Sequence, residues 1–130
     1  MATVFISGSI SIKVLPSEVV DRINSVVKNG HLVLVGDAPG VDTLVQRVLR
    51  GRTKQVLVYY SGSKARNNVG NWKEVRIPGP HTAKDQAMQQ RADYGFAIWD
   101  GRSKGTKANI EALKQRNRKC LVWHNRFEIQ

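Results

Sequence analysis

The chain is poor in cysteine, in acidic residues and in long apolar segments, and each shortage excludes a class of protein. Cys120 is the only cysteine among 130 residues, so an internal disulfide is excluded and a cytoplasmic protein with a buried thiol is expected. No apolar run is long enough to span a bilayer, and no targeting signal is recognisable. Asp and Glu number 10 against 21 Lys and Arg, and the resulting net charge of +11 favours anionic partners such as nucleotides or nucleic acid.

Metal-binding and catalytic signatures are also missing. His31, His81 and His124 lie too far apart for metal-ligand spacing, and there is neither a Cys/His nucleophile pair nor a dinucleotide-binding fingerprint. The sequence therefore predicts no metal and no other cofactor. Internal repeats and linkers are absent as well, and the length predicts one domain covering residues 1–130.

Short apolar runs alternate with amphipathic segments along the chain. Apolar runs bounded by turn residues predict five strands, near residues 3–7, 32–35, 56–60, 96–99 and 119–124. Helical spacing of apolar residues predicts helices near residues 19–27, 41–49, 83–92 and 105–116. Continuous apolar strands are typical of parallel sheets covered on both faces. We therefore predict an α/β fold, a three-layer Rossmann-like sandwich with a mainly parallel five-stranded sheet.

The segment from Ser61 to His81 has no apolar period and is interrupted by glycine and proline. A loop of this length inside a compact domain is expected to be functional or mobile. Trp72 lies within it and fits two roles, stacking on a base or packing of the loop against the domain, of which packing is favoured.

Three polar turns that contain glycine follow strands of the predicted sheet. In a parallel sheet, ligands bind at the carboxyl edge where strand order reverses, so these turns are expected to converge there. Glycine lets the backbone approach a ligand closely, and aspartate accepts hydrogen bonds from ribose hydroxyls or base amines. Turn formation and interaction with a helix dipole are the alternative roles of the aspartates. The predicted ligand-binding residues of the first two turns are Ser7, Gly8, Ser9, Gly36, Asp37, Ala38, Gly40 and Asp42.

The third turn joins the strand that ends near Trp99 to a helix that begins near Gly105. Free N–H groups and the positive end of the helix dipole predict an anion site there, with Arg102, Lys104 and Lys107 around it. An ordinary capped turn explains the same residues equally well. The predicted ligand-binding residues of this turn are Asp100, Gly101, Ser103, Gly105 and Thr106.

These motifs resemble the Rossmann-like SLOG superfamily, which includes DNA-processing protein A, the lonely guy phosphoribohydrolases and, more distantly, nucleoside 2-deoxyribosyltransferases. The similar pieces are Ser7-Gly8-Ser9, the turn from Gly36 to Asp42, the segment from Asp85 to Asp93, and the stretch from Trp99 to Thr106. The resemblance is strongest to the small stand-alone bacterial and phage branch. It implies a pocket for a nucleotide or nucleotide derivative at the strand edge. It also implies a homo-oligomer, with a dimer favoured.

The chain departs from the family pattern at two positions. Ile10 stands where this branch often carries an arginine, and Asn109 stands where the enzymatic relatives carry a catalytic glutamate. An amide cannot act as a carboxylate nucleophile or general base, so Asn109 is predicted to bind ligand only. Asp37, Asp100 and Glu111 remain as candidate catalytic residues, although Glu111 lies about 200° further round the helix.

Three functions follow from these patterns. The leading hypothesis is a module that binds a nucleotide-derived ligand without turnover. The second is an enzyme that hydrolyses or transfers an N-glycosidic bond. The third is single-stranded nucleic-acid binding, which requires a continuous basic groove with exposed aromatic residues.

Overall fold

Apolar strands and amphipathic helices alternate along the chain and assemble into one sheet with helices on both faces. The computed structural model describes residues 1–129. Within that range the strands are Thr3–Gly8 (β1), Leu32–Gly36 (β2), Val56–Tyr60 (β3), Lys73–Arg76 (β4), Tyr94–Ile98 (β5), Cys120–Trp123 (β6) and Phe127–Ile129 (β7). The helices are Ser17–Lys28 (α1), Val41–Leu49 (α2), His81–Arg91 (α3) and Lys104–Gln115 (α4).

The sheet has the strand order β4-β3-β2-β1-β5-β6-β7. Its first six strands are parallel, and β7 pairs antiparallel to β6. Central strand β1 pairs with β2 on one side and β5 on the other, so Val4 lies opposite both Val33 and Tyr94. From β1 the chain therefore adds β2, β3 and β4 on one side, and then β5, β6 and β7 on the other. The order reverses between β1 and β5, where ligands bind in folds of this kind.

The predicted α/β class and mainly parallel sheet agree with this architecture, but the count of five strands is wrong. The sheet has seven strands, because β4 and β7 were not foreseen. Strand β4 lies inside the predicted loop from Ser61 to His81, and three of its four residues are exposed. Strand β7 follows a tight turn in which Asn125 has a φ of 64°. Both are short edge strands without a continuous apolar run, so neither carries the pattern of a buried strand.

Two apolar layers hold the sheet between the helices. One lies beneath α1 and α2 and includes Ile6, Val33 and Val35, while the other lies beneath α3 and α4 and includes Phe5 and Leu34. Adjacent residues of one strand thus enter opposite layers, as the period of a strand requires. This two-sided burial explains why the central strands are apolar without interruption.

Two smaller predictions, a buried Cys120 and packing of Trp72 against the domain, are also confirmed. Cys120 is buried, and burial raises the pKa of its thiol to about 12. Trp72 packs into the layer beneath α1 and α2, and its Nε1 donates to the carbonyl oxygen of Thr53 at 3.0 Å. Within residues 1–129, no helix combines the length and the apolar character needed to cross a membrane.

Candidate nucleotide site

A cavity of about 200 Å³ opens at the carboxyl edge of the sheet, beside the point where strand order reverses. Strands β1 and β2 end there, and helices α2, α3 and α4 begin there. Nine of the fourteen predicted ligand-binding residues line this cavity: Ser7, Gly8, Gly36, Ala38, Asp42, Ser103, Gly105, Thr106 and Asn109. The other five lie behind or beside the lining: Ser9, Asp37, Gly40, Asp100 and Gly101.

Close packing explains two of the glycines in the lining. A Cβ on Gly8 would overlap the side chain of Val41 and lie 2.6 Å from the carbonyl oxygen of Ile98. A Cβ on Gly36 would lie 2.5 Å from a carboxylate oxygen of Asp42. The first glycine therefore lets α2 pack against the end of β1, and the second leaves room for the Asp42 carboxylate.

Gly40 is required by the fold for two reasons. Its φ of 80° lies in the left-handed region, and an added Cβ would lie 2.5 Å from the carbonyl oxygen of Ile10. It brings the first two predicted turns into contact while lying outside the cavity lining.

Ser9 and Asp100 connect the first turn to the third. The Oγ of Ser9 accepts a hydrogen bond from the backbone N–H of Asp100 at 3.1 Å and lies 3.4 Å from the Thr106 hydroxyl. The carboxylate of Asp100 accepts from the Ser11 hydroxyl at 2.6 Å and from the backbone N–H groups of Ser103 and Arg102 at 2.7 and 2.8 Å. These donors hold the pKa of Asp100 well below its ordinary value. Asp100 is thus an ionised turn residue whose described hydrogen bonds stay within the protein.

The start of α4 forms one wall of the cavity. Ser103 is the N-cap residue, and its Oγ accepts from the backbone N–H of Thr106 at 3.5 Å. A Cβ placed on Gly105 would meet no atom within 4 Å outside its own helix backbone, so there is open space beside the helix start at this residue. No acidic residue occupies this first turn, which leaves the positive end of the helix dipole uncompensated by a side chain of its own helix.

Asp37 anchors the long loop and does not line the cavity. Asp37 as a whole is 1% exposed. Its carboxylate accepts hydrogen bonds from Arg66 Nη2 at 3.0 Å, from Arg66 Nε at 3.2 Å and from the Arg66 backbone N–H at 2.9 Å. Although burial opposes ionisation, these contacts lower the pKa of Asp37 overall. Arg66 thus lines the cavity while its guanidinium is paired with the carboxylate of Asp37.

A buried glutamine fixes the same loop to the sheet. Gln46 on α2 is fully buried, and its Nε2 donates to the carbonyl oxygens of Gly36 and Asn67, while its Oε1 accepts from the backbone N–H of Val69. Asn67 in turn donates to the carbonyl oxygen of Asp37 at 3.0 Å. The loop is therefore held beside the site by hydrogen bonds to Asp37, which directly follows β2, and to Gln46 of α2.

A buried lysine lies close to two of the aspartates of the cavity, Asp42 and Asp85. Lys84 on α3 is 4% exposed, and its Nζ lies 3.4 Å from both the carbonyl oxygen of His81 and Oδ1 of Asp85. Asp42 is nearby and accepts from the backbone N–H of Ala38 at 3.1 Å. Burial raises the pKa of Asp42 to about 7, against the opposing effects of that hydrogen bond and of the Lys84 charge. This carboxyl group therefore titrates near neutral pH.

Asn109 and Glu111 have different surroundings on α4. Asn109 is buried and lines the cavity, and its Oδ1 accepts from Gln89 Nε2 at 2.7 Å. Glu111 is exposed, lies outside the cavity lining and forms an ion pair with Lys107 at 4.0 Å. Of the three candidate catalytic residues, none lines the cavity.

Arg66 and Lys84 are lining residues that sequence reasoning did not identify. Arg66 lies in a segment without periodicity, so only the folded loop brings it to the edge. Lys84 precedes Met88 by four residues and shares its buried face, a spacing visible in the sequence although lysine is rarely buried. Asp85 belongs to the segment that carried the family resemblance, and His81 and Met88 complete this side of the cavity. Within residues 1–129, His, Cys, Asp and Glu form no cluster able to hold a metal ion.

The sequence matches no known family model, and no characterised protein matches it in sequence. The fold is similar to that of DNA processing protein A from Helicobacter pylori, a structure described for its single-stranded DNA binding mode. The likeness has a TM-score of 0.67 at 15% identity and covers 93% of this chain. The chain spans 64% of that protein. At this identity the likeness supports the α/β fold predicted from the sequence, and the superfamily stays a proposal.

Proposed function

We propose that the cavity binds one charged part of a nucleotide or nucleotide-derived ligand, without turnover. The observation that carries this proposal is the convergence of the open α4 N-terminus at Gly105 with Arg66 and Lys84 around one cavity. Helix N–H groups, a guanidinium and an ammonium group are the donors that bind phosphate in proteins. Asp42, Asp85 and Asn109 add acceptors and an amide for a sugar or base.

The size of the cavity limits what it can hold. Sites for drug-sized ligands enclose about 300–1,000 Å³, whereas this cavity measures about 200 Å³. A single phosphate, sugar or base fits such a volume, and the rest of a nucleotide would extend towards solvent. Ile10 is 55% exposed and also lines the cavity, so an apolar surface is available beside the opening.

A thermal-shift assay with a panel of nucleotides tests binding. A ligand present at about 100 times its Kd stabilises the folded state by about 2.7 kcal/mol, which is a clear rise in melting temperature. Gly105→Val should abolish that rise while the protein still folds, because the added side chain enters open space. Gly62→Val is the matched control, since Gly62 is also exposed and uncrowded but lies outside the lining. No stabilisation by any nucleotide at saturating concentration would contradict the proposal.

An N-glycosidic hydrolase or transferase is a second candidate function. It is favoured by Asp42 and Asp85, two carboxyl groups in the cavity, of which Asp42 has a pKa of about 7 and suits acid–base chemistry. Chromatography for free base distinguishes the two functions. The binding proposal predicts no base release by the native chain, whereas release that disappears in Asp42→Asn or Asp85→Asn would establish the enzyme. Release only by Asn109→Glu would show a binding site with enzyme-like geometry.

Single-stranded nucleic-acid binding is a third candidate. It is favoured by the net charge of +11 and by the fold shared with a protein whose structure was described for its single-stranded DNA binding mode. The small cavity and its carboxylates suit a single group better than a polyphosphate chain. A polynucleotide would therefore need a different surface.

We also propose that the chain forms a homodimer, on the basis of the family resemblance. The long loop folds back onto Asp37 and Gln46 of its own domain, which favours pairing through the helices that flank the sheet, as the resemblance implies. Light scattering at micromolar concentration should give a dimer mass, and a monomer mass at every salt concentration would exclude this assembly.

A further inference from the structure

Most of the excess positive charge lies at the amino edge of the sheet, opposite the cavity. The amino edge is defined here as the segments 28–31, 49–55, 71–73, 91–93 and 115–119, which lead into strands β2, β3, β4, β5 and β6. In a parallel sheet with helical crossovers these segments all lie on one side. Together they hold nine Lys and Arg residues and one acidic residue, Asp93.

One half of this edge lies beneath α1, α2 and β4. It contains Lys28, Arg50, Arg52, Lys54 and Lys73, and all five are exposed. Three of them, Arg52, Lys54 and Lys73, line a groove of about 670 Å³. No acidic side chain contributes to the lining of that groove.

The other half lies beneath α3 and α4. It contains Arg91, Arg116, Arg118 and Lys119, which are also exposed. Arg118 and Lys119 line a second concave surface of about 450 Å³, together with Tyr94, which is 47% exposed. The single acidic residue of the edge, Asp93, also lines this surface, and its carboxylate accepts from the backbone N–H of Thr3 at 2.8 Å.

Ion pairs within the domain do not account for this charge, although Arg52 Nη1 donates to Asn24 Oδ1 and Arg91 Nη1 to the Tyr59 hydroxyl, both at 3.3 Å. Within residues 1–129, none of the nine cations forms an ion pair with an acidic side chain. Attraction to a helix C-terminus extends only over the last turn. It explains Lys28, Arg91 and Arg116, but Lys54, Lys73 and Lys119 lie beyond the helix ends.

We infer that the amino edge binds the phosphate backbone of a nucleic acid, with Tyr94 placed to stack on an unpaired base. Five strand spacings separate β4 from β6, so the edge extends over about 24 Å, which is long enough to contact several phosphates of one strand. Two concave surfaces lined by cations on one edge, with an exposed aromatic ring in one of them, suit the binding of a polynucleotide. This inference locates the surface for the third candidate function and does not depend on the cavity ligand.

Charge reversal tests the location. Anisotropy of a labelled oligothymidine of about 20 nucleotides should show binding that weakens steeply between about 50 and 200 mM salt. Arg52→Glu/Lys54→Glu and Arg118→Glu/Lys119→Glu should each weaken binding by about tenfold or more and reduce the salt slope by about 1 to 2. The matched control is Lys13→Glu/Lys64→Glu, which makes the same change in net charge with exposed residues away from the amino edge and should change affinity by less than about threefold.

Three results would overturn the inference. An equal loss in the control variant would show a response to net charge alone. Loss of binding only in Gly105→Val would place the oligonucleotide at the carboxyl edge, so that nucleic-acid binding would stand while the amino edge would not. Binding to phosphatidylserine vesicles without binding to either single-stranded or duplex DNA would assign the edge to a membrane surface. If Tyr94→Ala weakens binding to the single strand by about fivefold and leaves the duplex unchanged, stacking by that ring is confirmed.

Discussion

The two edges of the sheet carry charge in different ways. At the carboxyl edge, three aspartate carboxylates accept hydrogen bonds from the protein. Asp37 accepts from Arg66, Asp42 from a backbone N–H, and Asp100 from a serine and two backbone N–H groups. At the amino edge, nine exposed cations have no acidic partner among residues 1–129. Organised, paired charge suits recognition of one small group, whereas unpaired charge of one sign suits a long polyanion. This difference is why we propose a site for a small anionic group at the carboxyl edge and a surface for a polyanion at the amino edge.

The largest difference between the two edges is expected in the stability lost when a glycine is replaced by a larger residue. Gly8→Val should lower the free energy of unfolding by about 3 kcal/mol or more, because its side chain would overlap Val41 and the end of β5. Gly51→Asn is the matched change at the amino edge, where the glycine has open space and a φ of 74° that asparagine tolerates. It should cost less than about 1 kcal/mol in the same urea titration. Similar losses for both would remove the distinction between a packed and an open edge.

Paired charges should also differ in their contribution to stability. Asp37→Asn should lower the free energy of unfolding by about 1.5–3 kcal/mol, because it weakens buried, charge-assisted hydrogen bonds from Arg66. Glu128→Gln is the control, since its pair with Arg126 is exposed and is worth less than about 1 kcal/mol. Hydrogen exchange of the backbone N–H groups of Arg66 and Val69 should accelerate in Asp37→Asn only. An unchanged exchange rate would mean that the loop is held without this anchor.

The cavity should make stability depend on pH near neutrality. The pKa of Asp42 is about 7 in the folded protein and 3.8 in an unperturbed carboxyl group, so the folded state binds more protons between these values. The free energy of unfolding should therefore fall as pH rises from about 4 to about 7, by up to about 4 kcal/mol, and become level above that range.

Asp42→Asn keeps a side-chain oxygen to accept from Ala38 and removes the titration. Thermal unfolding of this variant should show a flatter profile over the same pH range and greater stability than the native chain at pH about 8. If the native and variant profiles remained parallel, the group that titrates in this range would not be Asp42.

The smallest effect is expected at the amino edge. Arg118→Glu/Lys119→Glu should change the free energy of unfolding by less than about 0.5 kcal/mol per substitution, because exposed charges without partners contribute little to the fold. A small gain is consistent with reduced repulsion in a chain of net charge +11. Urea unfolding at low salt measures this change in the free energy of unfolding. A loss of more than about 2 kcal/mol would show that these cations stabilise the domain, which would weaken the case for a binding surface.

Sequence periodicity predicted most of the fold but only part of the site. The buried strands and the helices were predictable because each buries an apolar face that its own residues define, as Phe5 and Ile6 show in β1. Strands β4 and β7 were not, since a charged edge strand such as Lys73–Arg76 depends on pairing with its neighbour. The polar turns carried a visible signal in glycine and aspartate, and nine of their residues, counting Asn109, line the cavity.

The amino edge was also within reach of the sequence. Once a parallel sheet was predicted, the segments that lead into its strands had to share one side, and nine cations occupy those segments. The position of each charge relative to the next strand was the informative quantity. Neither the total charge nor the absence of a run of like charges reveals that these cations share one edge of the sheet.

The sequence by itself determined the alternation of strands and helices, the buried state of Cys120 and the presence of three turns at one edge, because these depend on local apolar patterns and on glycine. Only the tertiary structure decided that Arg66 pairs with Asp37, 29 residues away, and that Lys84 and Asp85 meet Asp42 in one cavity. Burial, which raises the pKa of Asp42, depends on how separate elements pack and has no local signature. The carboxyl groups that face the cavity are therefore Asp42 and Asp85, while Asp37, Asp100 and Glu111 lie outside its lining.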